Sequence, residues 1–394
     1  MRLNIANNID KIREDFPITK QYNYLNNPAI GVVPKHVLEE VDAFSETQLA
    51  IPAYPDNNMT NGEIQEEARR GFAKLINADP TEISFHENTS IASNISAEML
   101  GLKRGDNVIM TDLDYPTSLP WVRLARKNSA EVRWVRNKDG LIEPGDFEQA
   151  IDDNTKVISI SFVSFANGFK HDLDEIGKLA DENSIHLVVD ATQGSGYLDL
   201  DVKRSKISLL FTGNFKWLMG GFGAAELYCK NDLLEKFESP HVGWHSVEAA
   251  ARRGAETFRV DSYTNPKTSA QFEVGNPSYV SIHCLEESLK YAASIGWQNI
   301  REATFKLGDA LFQGLEDIGV EITTPFERKH RSAIMFCHVT GVSGKMLYDA
   351  LRKEKIVVVA RPFGELDGVR IGPYFWNTEE EVESLVRTLK QFSK

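Results

Sequence analysis

Short apolar runs alternate with stretches of helical period over the first two thirds of the chain. EISF (82–85), NVIMTD (107–112), KVISISFV (156–163), IHLVVD (185–190), SLLFTG (208–213) and AAELYC (224–229) predict strands. GEIQEEARRGFAKLINA (62–78) and DLDEIGKLADENS (172–184) predict helices between them. A strand buried on both faces reads as an unbroken apolar run, and its alternation with helices implies a mostly parallel sheet. The texture changes near residue 276. Two long helical patterns, 279–296 and 299–319, lead to the strand-like runs SAIMFCHV (332–339), IVVVA (356–360) and VRIGPY (369–374). Thr378 and Glu381 then have capping-box spacing at the start of a last helix. The expectation is an α/β protein, with a large domain over 20–275 and a smaller α+β domain built from 1–19 and 276–394.

Composition narrows the class. The 394 residues suffice for two domains and a sizeable core. A formal charge of −13 without a long Lys/Arg run argues against nucleic acid or an anionic membrane as partner. No apolar stretch is long enough to span a bilayer, and the first residues lack the apolar core of a signal peptide, so the cytoplasm is the expected location. Cys229, Cys284 and Cys337 lie far apart with no CxxC, and no histidine spacing suits a metal. Neither a disulfide framework nor a metal site is expected.

The stretch FTGNFKWLMGGFGAAELY (211–228) carries the chemistry. It holds Lys216 and no other charge before Glu226. Between Phe215 and Trp217, desolvation favours the neutral amine, which is the better nucleophile towards carbonyls. A surface lysine snorkelling out of an apolar patch is the ordinary alternative. Asp190 ends the run IHLVVD, and ligands of open parallel sheets bind at such strand ends. Alone, a cap or turn aspartate explains it better. The neighbouring GSGYLD is a partial GxGxxG that lacks the third glycine and comes too late in the chain for a dinucleotide fingerprint. Together, a desolvated lysine and a strand-end aspartate are what pyridoxal phosphate needs: an amine for the Schiff base and a carboxylate to keep the pyridine nitrogen protonated. In FHENTSIASNISAEML (85–100), Thr89 and Ser90 fall at a helix N-terminus, a natural anion site for the phosphate.

The set ENTSIAS, VVDATQGSG, GNFKWLMGGFGAAELY, FEVGNPS and VRIGPYFWNTEEEV resembles the class V aminotransferase family of fold-type I pyridoxal-phosphate enzymes. That family includes cysteine desulfurases, kynureninase and isopenicillin-N-epimerase-like proteins. The resemblance runs from YLNNPAIG (24–31) to NTEEEVESLV (377–386). It implies a mostly parallel, seven-stranded sheet in the large domain and a set of roles. Lys216 would form the Schiff base and move the Cα proton. Asp190 would pair with the pyridine nitrogen, Gln193 with the phenolic oxygen, and Thr89 and Ser90 with the phosphate. Asn276 would reach the phosphate from a partner subunit, which implies a homodimer with shared active sites. Tyr115 falls where the family stacks an aromatic ring or histidine on the pyridine face, a plain turn tyrosine being the alternative. Asn214 contacts the cofactor or caps a turn. Arg370 matches the arginine that grips the substrate α-carboxylate, a contact suited to a guanidinium fork. The backbone from Asn27 through Ala29 to Ile30 would lie near the substrate.

Two departures shape the functional expectation. Desulfurases carry a nucleophilic cysteine on a mobile loop shortly before that arginine, and VVVARPFGELDGVRIG (357–372) has none. Phe165 stands where many desulfurases have asparagine, and HVGWHSVE (241–248) is typical of the epimerase-like and kynureninase-like branches. Its Trp244 and His245 face the substrate or pack as a buried pair. The first expectation is therefore an aminotransferase acting on a small α-amino acid and a keto acid. A C–S or β-eliminating lyase or an epimerase comes second, and a cysteine-dependent desulfurase is disfavoured. A non-catalytic cofactor-binding protein and a dinucleotide oxidoreductase are remote.

Overall fold

The computed structural model describes residues 5–50, 55–248 and 261–393. The first strand, β1 (Asn23–Tyr24), is short, and seven longer ones follow. They are β2 (Ile83–His86), β3 (Asn107–Thr111), β4 (Glu131–Val135), β5 (Thr155–Ser161), β6 (His186–Asp190), β7 (Leu209–Gly213) and β8 (Ala225–Cys229). These seven form one sheet in the order β2-β8-β7-β6-β5-β3-β4. Every pairing is parallel except those of β8, which runs antiparallel to β2 and β7. β7 and β8 are buried at every position, and β6 at all but its first, as their unbroken apolar runs require. The sequence patterns pass over β4, because an edge strand can keep polar positions such as exposed Glu131 and half-buried Arg133.

Helices cover both faces. On one, the helices Pro55–Ile76 and Tyr279–Ile295 bring Phe72, Leu285 and Leu289 into a core with Phe85, Leu210 and Trp217. On the other, Thr89–Leu100 and Leu119–Asn128 pack Ile95, Trp121 and Leu124 against Val108, Val157 and Val188. Each such side chain, fully buried, contributes about 1.5–3 kcal/mol. The helix Tyr279–Ile295 thus shares its core with the large sheet, although the texture of the sequence changes just before it.

The second sheet is antiparallel. Its strands β9 (Glu321–Ile322), β10 (Met335–His338), β12 (Val359–Phe363) and β13 (Leu366–Ile371) lie in the order β12-β13-β10-β9. The run IVVVA divides. Its first part, β11 (Ile356–Val357), pairs in parallel with β1, and the rest enters β12. The run VRIGPY stops being strand at Ile371, and Tyr374 instead turns inward, donating its hydroxyl to the carbonyls of Trp217 at 2.8 Å and Gly196 at 3.2 Å. The helix Glu379–Leu389 opens with the Thr378–Glu381 capping box that the spacing predicts. Arg13 of the N-terminal helix pairs with Glu381 at 2.9 Å, and Phe16 stacks on Trp376 at 4.2 Å between centroids. Among the described residues, no helix is long and apolar enough to cross a membrane.

Candidate active site

The carboxyl ends of β5, β6 and β7 open into one cavity, bordered by Ser161, Asp190 and Lys216 together with Thr89, Tyr115 and Gln193. Asp190 is the last residue of β6. Its Oδ2 accepts from the Thr117 hydroxyl at 2.6 Å and its Oδ1 from the Thr192 amide at 2.9 Å. Two donors from different elements therefore fix the plane of the carboxylate.

Lys216 follows β7 by three residues. Its Nζ lies 5.6 Å from the ring centroid of Tyr115 and 5.3 Å from that of Phe215. Burial pushes its amine down to about 8; Asp190 opposes the shift, while Arg370 and Arg361 add to it. This is the desolvated lysine that the uncharged sequence around it predicts.

Gln193 is set by both ends of its amide. The Trp217 indole donates to Oε1 at 2.9 Å, and Nε2 donates to the Pro28 carbonyl at 2.9 Å. An indole N–H can only donate, so the orientation of the amide is determined, and its second N–H remains for a ligand oxygen. Thr89 borders the cavity at the first turn of its helix, which Asn88 caps by accepting from the Ile91 amide at 3.1 Å. Ser90, in the same turn, is exposed and does not border the cavity. Asn214 is fully buried, yet neither atom of its amide has a hydrogen-bond partner among the described residues. Its side chain therefore caps no turn, and only its main-chain oxygen is used, by the Gly220 amide at 2.9 Å.

The segment from Asn26 to Gly31 threads between the lysine and the small sheet. Gly31 donates its N–H to the Phe215 carbonyl at 2.8 Å, and Asn27 donates its own to Gly372 at 3.3 Å. Asn27 is buried with both side-chain polar atoms unpartnered among the described residues, and Ala29 lies half-buried beyond it. On β13, Arg370 is buried and donates Nη1 to the Phe165 carbonyl at 2.7 Å, leaving Nε without a partner among the described residues. The Phe165 ring meets that of Tyr115 edge-on at 4.9 Å. Tyr115 keeps 43% of its surface exposed on this wall.

Three sequence-named residues lie elsewhere. Asn276 is exposed beside a separate cleft bordered by Phe85, His86 and Ile91. Trp244 is exposed with its ring edge against His245, and neither borders the lysine cavity. Residues that the sequence reading passed over are Thr117, two positions beyond Tyr115, and Arg361, whose guanidinium lies 4.8 Å over the Phe165 ring. The only signal for Arg361 was a single cation inside an otherwise apolar strand, the same signal that marked Arg370.

All three cysteines are buried and far from reactive. Burial raises each thiol, Cys284 to about 11 and Cys337 to about 12, with Cys229 raised as well. The turn between β12 and β13 consists of Gly364 and Glu365. His283, Glu286 and Glu287 cluster closely enough to hold a metal ion, but Lys290 already pairs with both glutamates.

The sheet order is that of fold-type I pyridoxal-phosphate enzymes, and beside it lie a lysine with no hydrogen bond among the described residues and an aspartate fixed at a strand end. The chain belongs to the class V aminotransferase family, whose profile matches residues 23–385. It is 28% identical to a probable cysteine desulfurase of Pyrococcus abyssi over 98% of both chains. It is 24% identical to an uncharacterized aminotransferase of Bacillus subtilis over 96% of both. The apo structure of a cysteine desulfurase from Thermococcus onnurineus matches with a TM-score of 0.89 at 27% identity, covering 98% of each chain. The cofactor is pyridoxal phosphate, and the unpaired Lys216 amine and the spare N–H of Gln193 fit it.

Proposed function

We propose that this protein is an aminotransferase that moves the amino group of a small α-amino acid to a keto acid. When bound, pyridoxal phosphate supplies the electron sink that makes the substrate α-hydrogen acidic. Asp190, held by Thr117 and Thr192, would face the pyridine nitrogen, and Gln193 the phenolic oxygen. Thr89 and the free N–H groups of its helix turn would hold the phosphate, with Ser90 at the same turn. Arg370 would take the substrate α-carboxylate. Lys216 would first hold the cofactor's aldehyde carbon. With its Nζ free, Lys216 would accept the Cα proton and return it on the cofactor's side of the shared nitrogen.

The observation that carries this reading is the placement of Lys216 beside Tyr115 on the same cavity as Asp190. Burial lowers its amine to about 8, which suits a base that must both take and return a proton. The buried thiols and the two-residue turn before Arg370 weigh against a cysteine nucleophile, despite the names of the relatives. We further propose a cytoplasmic homodimer in which Asn276 of each subunit serves the other's phosphate. Exposed Phe222 and Val274 near that cleft suit a covered face. The chain would divide into a large domain over 20–275 and a small one built from 1–19 and 276–394, with Tyr279–Ile295 packed against the large sheet.

The test is to mix the cofactor-loaded protein with single amino acids, without keto acid, and follow the cofactor spectrum, ammonia and sulfide. One-turnover conversion to the amine form of the cofactor, reversed by a keto acid, is the expected result. Continuous ammonia release would make it a lyase instead. Sustained alanine and sulfide from cysteine would restore the desulfurase reading.

A further inference from the structure

The site holds more positive charge than the proposed reaction uses. Lys216, Arg361 and Arg370 act on one another electrostatically, and Asp190 is the carboxylate among them. Thr117 and Thr192 already occupy Asp190, and the pyridine nitrogen is its proposed partner. Arg361 has no ion pair or hydrogen bond among the described residues. It is half-buried, lies over the Phe165 ring, and senses the Tyr115 hydroxyl.

The register of the hairpin places the two guanidiniums together. Val359 on β12 is directly opposite Arg370 on β13. Arg361 is two residues further along β12, so it projects from the same face as Arg370, as its diagonal neighbour about 7 Å away at the backbone. Phe165 joins them physically: its carbonyl accepts from Arg370 and its ring underlies Arg361. A substrate with a single carboxylate would satisfy one fork and leave the other, half-buried, without a counter-ion, which is unfavourable.

We propose that the preferred substrate is an α-amino acid with an acidic side chain, Arg370 holding the α-carboxylate and Arg361 the side-chain carboxylate. This rests on the reading of Lys216 as the base of an amino-acid site. Specificity then comes from the second fork, because charge-assisted contacts made by a planar guanidinium are strong and directional. The hydrophobic ring beneath it keeps the fork in place in the absence of ligand.

The test has a binding arm and a turnover arm. Cofactor-loaded protein is titrated with succinate and with butyrate, neither of which can react, by calorimetry. Succinate should bind about ten- to a hundredfold more tightly. Arg361→Leu should abolish that difference and leave butyrate unchanged, and Arg361→Lys should retain part of it. In turnover, kcat/KM for aspartate or glutamate should exceed that for alanine or 2-aminobutyrate, and the longer or shorter acid that wins reports the span between the forks. Equal binding of succinate and butyrate in the wild type would overturn the proposal. So would an equal loss of both ligands in Arg361→Leu, which would assign Arg361 to the α-carboxylate or to the fold. If neutral amino acids convert the cofactor as well as acidic ones do, this inference falls and the aminotransferase reading stands. If no amino acid of either kind changes the cofactor spectrum, the reading of Lys216 falls and this inference with it.

Discussion

Gly31 lies against the backbone of Lys216 so closely that a Cβ at position 31 would sit 1.7 Å from the Lys216 carbonyl oxygen. Backbone cannot swing aside as a side-chain tip can. The glycine lets the Asn26–Gly31 segment form a wall of the cavity, and its N–H fastens that wall to Phe215.

Gly31→Ala should therefore displace the lysine itself. Overpacking of this kind costs about 1–3 kcal/mol. The expected outcome is a lower melting temperature and weaker cofactor retention, read from thermal unfolding and from absorbance after dialysis. Gly145→Ala is the control, since nothing lies within 4 Å of a Cβ there. Equal behaviour of the two variants would show that the segment gives way freely.

Thr117→Val should leave Asp190 with one of its two donors. The lost hydrogen bond is 2.6 Å long and charge-assisted, a class worth about 1.5–3 kcal/mol. Cofactor affinity should fall about ten- to a hundredfold, while Thr117→Ser restores most of it. Fluorescence titration of the apoprotein with pyridoxal phosphate measures both.

Lys216 should make the cofactor-free protein more stable as pH rises. Its amine sits near 8 in the fold against 10.5 in the unfolded chain, so the unfolded state binds more protons between those values. Stability then climbs through that window. Lys216→Met should stabilise the apoprotein at neutral pH by an amount that shrinks towards pH 10.5, where wild type and variant converge. Urea unfolding of both apoproteins at several pH values gives the difference directly.

Glu226 should impose the opposite slope. Its carboxyl is fully buried on β8 with neither oxygen hydrogen-bonded among the described residues, opposite Thr212, whose hydroxyl is also unpartnered. Burial raises it from 4.5 to about 8. The folded state holds the proton that the unfolded state releases, so stability is lost as pH rises from 4.5 to about 8. Glu226→Gln cannot titrate, and its unfolding free energy should lack that decline. Parallel pH profiles for the two proteins would contradict the burial of an unpaired acid here.

The strands of the large sheet were legible because a strand covered on both faces is mostly apolar, with few exceptions such as Thr212 and Glu226. β4 was not, since water on its outer positions permits Glu131 and Arg133. Lys216 stood out because its neighbours offer no counter-ion, and Asp190 because it ends an apolar run. Thr117 and Arg361 were hidden for a different reason. The hydroxyl of Thr117 meets a carboxylate 73 positions away, and Arg361 joins Arg370 only through the pairing of β12 with β13. Hydrophobic period reports which face of an element is buried; it does not report which elements are neighbours. The division of IVVVA between two strands was invisible on the same ground, because the break at Val358 follows from pairing to β1 on one side and β13 on the other.

The bridge between Asn26 and Gly372 brings the beginning of the chain beside its end. A ribosome releases Lys216 and the whole seven-stranded sheet well before it releases Arg370. During that interval the nascent chain has its lysine on the large sheet, and the wall is held at Gly31 and Pro28 but not yet at Gly372. Closure of the pocket through this bridge thus waits on the synthesis of the last strand. A chain cut short before β13 would include every strand of the large sheet but lack Arg370 and the bridge from Gly372 to Asn26.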